Sequence, residues 1–383
     1  MIDPASPFAL DDDPLGQDFT VGVEEEFFLV DAETRLLRDD AEVVLGLART
    51  PEGSVIDAEL KRSQVETATP VCTTMGEVRT SVAALRRSLS EAAGSVGARL
   101  LASGTHPSAG WNEDGGMTQK AAYVALDDTY GLLAVEQAVC GCHVHVGVRD
   151  PELAIGVMNR IRRWLPVLVA LTANSPFWMG HDTRYASYRT QVFHRWPMTG
   201  IPEHLADRAA YDELLGQLLA TEAIDDPARL YWDVRPSARY PTLELRVADV
   251  VTTIDEAVML AAIVRALVET LHADAAAEVA FEPPRPELLR TALWRATRFG
   301  LTGGLVDHDA MAVRPAPEVL GSLLQLVRPV LEQRGEWDEV SATITFVLRQ
   351  GTGAARQLDA WAASEDLDAV IDRTATATVA GAI

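Results

Sequence analysis

"VCGCHVHVGV", residues 139–148, alternates two sets of side chains over a full strand's length. In an extended chain successive side chains point to opposite faces. Cys140, Cys142, Val144 and Val146 therefore share one face, and Gly141, His143, His145 and Gly147 the other. The cysteines point away from the histidines. A tetrahedral zinc site needs its four ligands aimed at one point, and this stretch supplies that only if the strand breaks. The cysteines read as small buried hydrophobes packed with the two valines. The histidines, with glycines on either side clearing space, read either as ligand or substrate residues or as a hydrogen-bonded pair without chemistry.

The same alternation recurs far away in the chain. "TVGVEEEFFLV", residues 20–30, puts Glu24 and Glu26 on one face and Val21, Val23, Glu25, Phe27 and Leu29 on the other, the core-facing side, with Glu25 its awkward member. "TLELRVADV", residues 242–250, puts Thr242, Glu244, Arg246 and Ala248 on one side and Leu243, Leu245, Val247 and Asp249 on the other. "DAELKRSQVETATP", residues 57–70, adds Glu59 and Glu66, whose odd separation lets them converge only across a loop or bulge. Adjacent carboxylates on one strand face repel each other and are most easily tolerated beside cations. Five carboxylates with one or two imidazoles form an oxygen-rich donor set, which suits Mg²⁺ or Mn²⁺ better than zinc or copper.

The rest of the chain limits the alternatives. Its 383 residues, 48% hydrophobic, are enough for a substantial core. The formal charge of −23 opposes a nucleic-acid partner, whose phosphates need a basic face. Lysine occurs only at Lys61 and Lys120, in neither case after a glycine-rich loop, so a Walker-type phosphate site is disfavoured. The three cysteines point to a reducing compartment. With no leader and no run of about 18 apolar residues, the reading is a cytoplasmic protein with no membrane partner. Strands that alternate polar and apolar residues, separated by amphipathic helices such as that in "TMGEVRTSVAALRRSLSEAAGSVGARLL", residues 74–101, predict an α+β fold with a mainly antiparallel sheet. Residues 1–18 and 366–383 read as flexible tails around a single domain at 19–365.

Six stretches, "TVGVEEEFFLVD", "SQVETATPVC", "ASGTHP", "GCHVHVGV", "RYASYRTQVFHRWP" and "LELRVADV", together resemble the glutamate-cysteine ligase type 2 family of carboxylate-amine ligases. The resemblance implies a glutamine-synthetase-like catalytic domain: a curved, mainly antiparallel sheet flanked by helices, with metals and ATP on its concave face. It implies ATP-dependent activation of a carboxylate, typically the γ-carboxylate of glutamate, as an acyl phosphate that an amine then displaces. The amine, cysteine or another amino compound, is left open. The alternatives are phosphotransfer on the same fold and a homologue that binds without turnover. Carried over by position, Glu26, Glu59 and Glu66 would hold one metal, and Glu24, His143 and Glu244 the one nearer the phosphates. Arg246 and Glu66 are the expected catalytic residues. Arg189, Arg195, Arg235, Tyr188 and His145 are the expected substrate contacts, Arg184 and Tyr185 belonging to the same loop. A homodimer is also implied.

Overall fold

The computed structural model describes residues 18–111 and 116–382. Apart from Asp18, the expected N-terminal tail lies outside these described residues. In chain order the elements are β1 (Val21–Asp31), α1 (Ala41–Leu47), β2 (Val55–Ala58), β3 (Gln64–Ala68), α2 (Met75–Ser95), β4 (Ala98–Leu101), α3 (Ala121–Tyr130), α4 (Leu132–Val135), β5 (Gly141–Gly147), α5 (Pro151–Ile161) and α6 (Leu165–Thr172). There follow β6 (Phe177–Trp178), β7 (His181–Asp182), α7 (Tyr188–Phe193), α8 (Arg208–Ala220), β8 (Val234–Pro236), β9 (Thr242–Asp249), α9 (Ile254–Ala276) and α10 (Pro286–Phe299). The chain ends with β10 (Gly304–Asp307), β11 (Ala312–Pro315), α11 (Ala316–Gln333), α12 (Trp337–Gln350), α13 (Gly353–Ser364) and α14 (Leu367–Thr378).

The main sheet runs β2-β3-β1-β5-β9-β8, with β4 on β1 and every pairing antiparallel. Phe28 pairs with Gln64 of β3 and Leu101 of β4, so β4 joins the edge of β1 that β5 occupies further back. This is the α+β antiparallel architecture that the alternation predicts. One face carries Val21, Val23, Cys142, Val144, Leu243 and Leu245 into a core shared with α2, α5, α6 and α9. The cysteines are packing residues, as parity requires, with Cys142 in this core and Cys140 in a second one around Phe27 and Phe28.

The helices that back the sheet begin where their sequences say. Thr74 Oγ1 accepts from the Glu77 amide at 3.2 Å while the Glu77 carboxylate accepts from the Thr74 amide, a reciprocal cap for α2. Thr253 and Glu256 repeat it for α9. α2 buries Met75, Val78, Val82, Leu85, Arg86 and Leu89, a stripe at helical spacing in which the arginine is the exception. Each fully buried Val or Leu here contributes about 1.5–3 kcal/mol.

Two expectations change. In β9 the step from Cys142 to Val144 on β5 is matched by the longer step from Ala248 to Leu245, so β9 carries one extra residue there. Ala248 consequently joins the core and Asp249 turns to the other face, opposite Gly141. At the C-terminus, the stretch taken for a tail contains α14, whose Val370, Ile371, Ala375 and Thr378 are buried. Ile371 and Ala375 pack with Phe27 and Phe28, which the alternating Thr and Ala of "TATATVAGAI", residues 374–383, do not suggest. Among the described residues no helix is long and apolar enough to cross a membrane.

Candidate functional site

The face opposite the core gathers the predicted carboxylates by register alone. Across the sheet, Glu26 lies opposite Glu66, Glu24 opposite His143, His145 opposite Glu244, and Glu244 opposite Arg235. Glu59 follows β2 in the turn that leads to β3, which is how its odd separation from Glu66 is absorbed. Three sets of side chains bring ligand atoms within 4.8 Å of one another: Glu26, Glu59 and Glu66; Glu24, Glu66 and His143; and Glu24, His145 and Glu244. The first set is the one expected. The second expected set is regrouped, because His143 meets Glu24 and Glu66 while His145, expected as a substrate contact, meets Glu24 and Glu244. Glu24 and Glu66 are each shared between two sets.

The contacts inside the cluster are close. His143 Nδ1 lies 3.0 Å from Glu24 Oε2, and its Nε2 3.6 Å from Glu26 Oε1. His145 Nε2 lies 3.2 Å from Glu24 Oε1 and its Nδ1 3.2 Å from Thr242 Oγ1. Neither Nε2 has hydrogen-bond geometry to any partner, although both are buried. Glu26 Oε2 accepts from the Gly141 amide at 2.5 Å. Glu244 is clamped from two sides: Arg235 Nε donates to Oε2 at 2.9 Å, and Arg246 Nη1 contacts Oε1.

The electrostatics divide the cluster. Burial alone would raise Glu244, but Arg246, His145 and Arg235 outweigh it and hold the carboxyl far below the usual range. Burial is likewise outweighed at Glu24, where His145 and His143 pull the carboxyl well below it. At the other end, burial and the Glu26 charge push Glu59 up to about 7. Burial and the charges of Glu59, Glu24 and Glu26 push Glu66 well above the usual value. Burial and Arg246 lower His143, whereas Glu24 and Glu244 together outweigh burial and raise His145. At the Glu59 and Glu66 end burial and mutual repulsion thus disfavour the ionised carboxylates more than Arg246 offsets. A divalent cation fits this donor set, since carboxylate oxygens and an imidazole are its ordinary ligands and its charge would remove the repulsion.

The expected substrate residues separate. Arg246 stands beside the cluster with its Nε buried and unpartnered and its guanidinium 6.0 Å from the Tyr231 ring centroid. Arg189 is 2% exposed, lies against the Gly141 backbone, and also has an unpartnered Nε. A Cβ on Gly141 would sit 2.2 Å from Arg189 Nη2, so any other residue there would displace this guanidinium. Arg235 is engaged through two of its nitrogens: besides Nε on Glu244, its Nη1 donates to Ala228 O at 2.6 Å and Leu230 O at 2.7 Å. Arg195 points outward and pairs with Glu136 at the surface. Tyr188 lines a separate aromatic cleft with Trp178, Met179, His181 and Thr183. Arg184 and Tyr185 line another of about 380 Å³ with Arg298 and Phe299.

Two residues near the site had no signal in the sequence. Tyr123, from α3, places its hydroxyl 3.3 Å from Glu59 Oε2. Asp249, turned by the β9 bulge, accepts from the Asn174 amide at 2.8 Å, Ser175 Oγ at 2.7 Å and Ser187 Oγ at 2.8 Å. Gly104 of "ASGTHP" makes room for it, since a Cβ there would lie 2.9 Å from Asp249 Cγ. Ser175 and Ser187 lie in the segment between α6 and α7 that leads to Arg189, so this carboxylate fixes the start of α7 to the sheet.

Comparison with known proteins gives the family. A model of glutamate-cysteine ligase family 2 matches residues 20–373. The glutamate–cysteine ligase 2-2 sequence of Frankia alni is 42% identical over 367 residues, covering 92% of this chain and 95% of its own. Among solved structures, a bifunctional glutathione synthetase of Pasteurella multocida superposes with a TM-score of 0.65 at 15% identity, over 96% of this chain and 53% of that one. A glutamate–cysteine ligase of Francisella tularensis in complex with AMP gives 0.63 at 14% identity, over 95% of this chain and 89% of that one. The chain belongs to glutamate-cysteine ligase family 2 and is an ATP-dependent C–N ligase.

Proposed function

We propose that this ligase activates a small carboxylate, the γ-carboxylate of glutamate, as an acyl phosphate and passes the acyl group to the amine of cysteine or of another amino compound. The observation that carries the reading is the row of three overlapping carboxylate and imidazole sets ending at Arg246. These carboxylates and imidazoles would hold a divalent cation, Mg²⁺ or Mn²⁺, whose chemistry there would be to neutralise charge on the oxygens of ATP.

The chain's own residues do the rest. Glu24 and Glu66, each common to two sets, would be shared by any cations that these sets hold. Arg235 and Arg246 hold Glu244 ionised and in one orientation. A guanidinium carries five donors, and the unpartnered Nε atoms of Arg246 and Arg189 are free to meet anionic oxygens of the transferring group or the substrate. Phosphoryl transfer requires positioning and charge rather than a protein nucleophile. The buried Cys140 and Cys142, whose thiols burial pushes up, have no part in it.

The test is release of ADP and phosphate from Mg-ATP with glutamate across a panel of amines that includes cysteine. Release should depend on both glutamate and an amine, and Glu24→Gln should lower kcat/KM by at least about 100-fold. A Glu24→Gln protein that couples at the parent rate sinks the site. Phosphorylated acceptor without amide would mark phosphotransfer instead.

A further inference from the structure

The core face of β1 holds a charge that the site does not use. Glu25 lies between Glu24 and Glu26 and points the other way, where Arg86 of α2 meets it with two hydrogen bonds, Nε to Oε2 at 3.0 Å and Nη2 to Oε1 at 2.5 Å. The side chains are 0% and 2% exposed. Arg86 also donates from Nη1 to Thr252 O and to Thr378 O, both at 2.8 Å, and from Nη2 to Val251 O at 3.1 Å. Val251 and Thr252 lie two and three residues past the end of β9, which carries Glu244 and Arg246, and Thr378 is the last residue of α14. One guanidinium therefore joins β1, the end of β9 and the end of the C-terminal helix.

We propose that Arg86 and Glu25 form a positioning strut that sets the two halves of the cation site relative to each other and makes the C-terminal helix a working part of that site. The inference rests on the cation reading given above. The physical reason is the pleat. Anchoring Glu25 at both carboxylate oxygens fixes the rotation of β1 at the one residue flanked by two cation ligands. The same anchor fixes where β9 leaves the sheet, and so the distance from Glu24 to Glu244. A buried ion pair is weak evidence for stability, because a well-packed apolar pair of similar volume serves as well or better. Its directional bonds, which an apolar pair lacks, are what a site built from two strands needs. α14 is held in place by further contacts: Thr378 Oγ1 accepts from the Ala102 amide at 3.0 Å, and Asp372 pairs with Arg35 at 2.8 Å and Arg99 at 2.6 Å.

The experiment compares the parent protein with the double variant Glu25→Leu/Arg86→Met and with Arg86→Lys, measuring thermal stability and Mn²⁺ affinity without ATP. The apolar double variant should fold and lose roughly tenfold in Mn²⁺ affinity, as for groups that orient metal ligands without touching the metal. Arg86→Lys, which keeps the charge but cannot span all five contacts, should fall between. A folded double variant with parental Mn²⁺ affinity overturns the strut. If the double variant does not fold, parental affinity in Arg86→Lys overturns it equally. A parent that binds no Mn²⁺ overturns the cation reading, and the strut with it.

Discussion

Glu24, Glu25 and Glu26 are the same side chain on consecutive residues, and the sheet puts them in two different worlds. On the core side, Glu25 meets a guanidinium whose donors all have acceptors. On the cleft side, Glu24 and Glu26 face Glu66, with Glu59 beside it, and the nearby nitrogens of His143, His145, Arg189 and Arg246 include buried atoms with no partner. Buried polar groups are normally satisfied, so the first arrangement is finished and the second requires something the chain does not supply. The difference between structural and functional charge on this sheet is thus one of completeness as well as exposure, since Glu25 is buried and fully paired while Glu24, Glu59 and Glu66 are partly exposed beside nitrogens that lack hydrogen-bond partners.

His106 extends the finished side, and titrating it is the largest test of the comparison. Its Nε2 bonds Arg35 O at 3.0 Å and its Nδ1 accepts from the Ala109 amide at 2.9 Å, with the ring edge-on to Phe28. Burial lowers its pKa to about 4, against the Arg35 carbonyl. The folded state then binds fewer protons than the unfolded one, so this contribution is complete above about 6.5 and is lost as pH falls through 4. That amounts to about 3 kcal/mol. Denaturant unfolding across this window should show the loss in the parent and a shallower slope in His106→Gln. An unchanged slope would mean that the ring is not held neutral by its surroundings.

Glu59 tests the unfinished side with the opposite sign. Its folded pKa of about 7 lies above the ordinary value, so its contribution is complete below about 4.5 and lost as pH rises through 7. Without divalent cation, Glu59→Gln at pH 8 should therefore stabilise the protein by about 1–2 kcal/mol, allowing for partial screening by water. With saturating Mn²⁺ the order should reverse, the parent gaining stability that the variant does not. A variant less stable than the parent in cation-free buffer would show that the carboxylates at that end are already neutralised.

Much of this was legible from parity. Register turned the alternation of 139–148, 20–30 and 242–250 into one polar face, because cross-strand neighbours on one side are forced together once the strands pair. What stayed hidden had local causes. The extra residue in β9 exchanged the faces of Ala248 and Asp249, and a bulge leaves no mark in a pattern of two. Exchange of the two histidines between sets depends on side-chain reach, which parity does not describe. Arg86 sat on the apolar stripe of a helix with nothing to show that its partner was Glu25, 61 residues earlier. The Thr and Ala repeat of the last turns concealed α14, whose Ile371 and Ala375 pack beside two phenylalanines.

The smallest predicted effect separates two arginines of one motif. In "RYASYRTQVFHRWP", Arg189 opens the first turn of α7 and is turned inward against Gly141, tethered by its own amide to Ser175 Oγ at 3.0 Å. Arg195 comes six residues later, past the helix end at Phe193, and pairs with Glu136 at 39% side-chain exposure. Exposed pairs contribute little, so Arg195→Ala should change stability by less than about 0.5 kcal/mol and leave kcat/KM within about twofold. Arg189→Ala in the same assay should lose activity, because it removes a buried cation with a donor still unused. Were Arg195→Ala the damaging change and Arg189→Ala the silent one, incompleteness would no longer distinguish the functional charges from the structural ones. A domain movement bringing Arg195 inward would then have to be found before any role could be given to the cleft-side guanidinium groups.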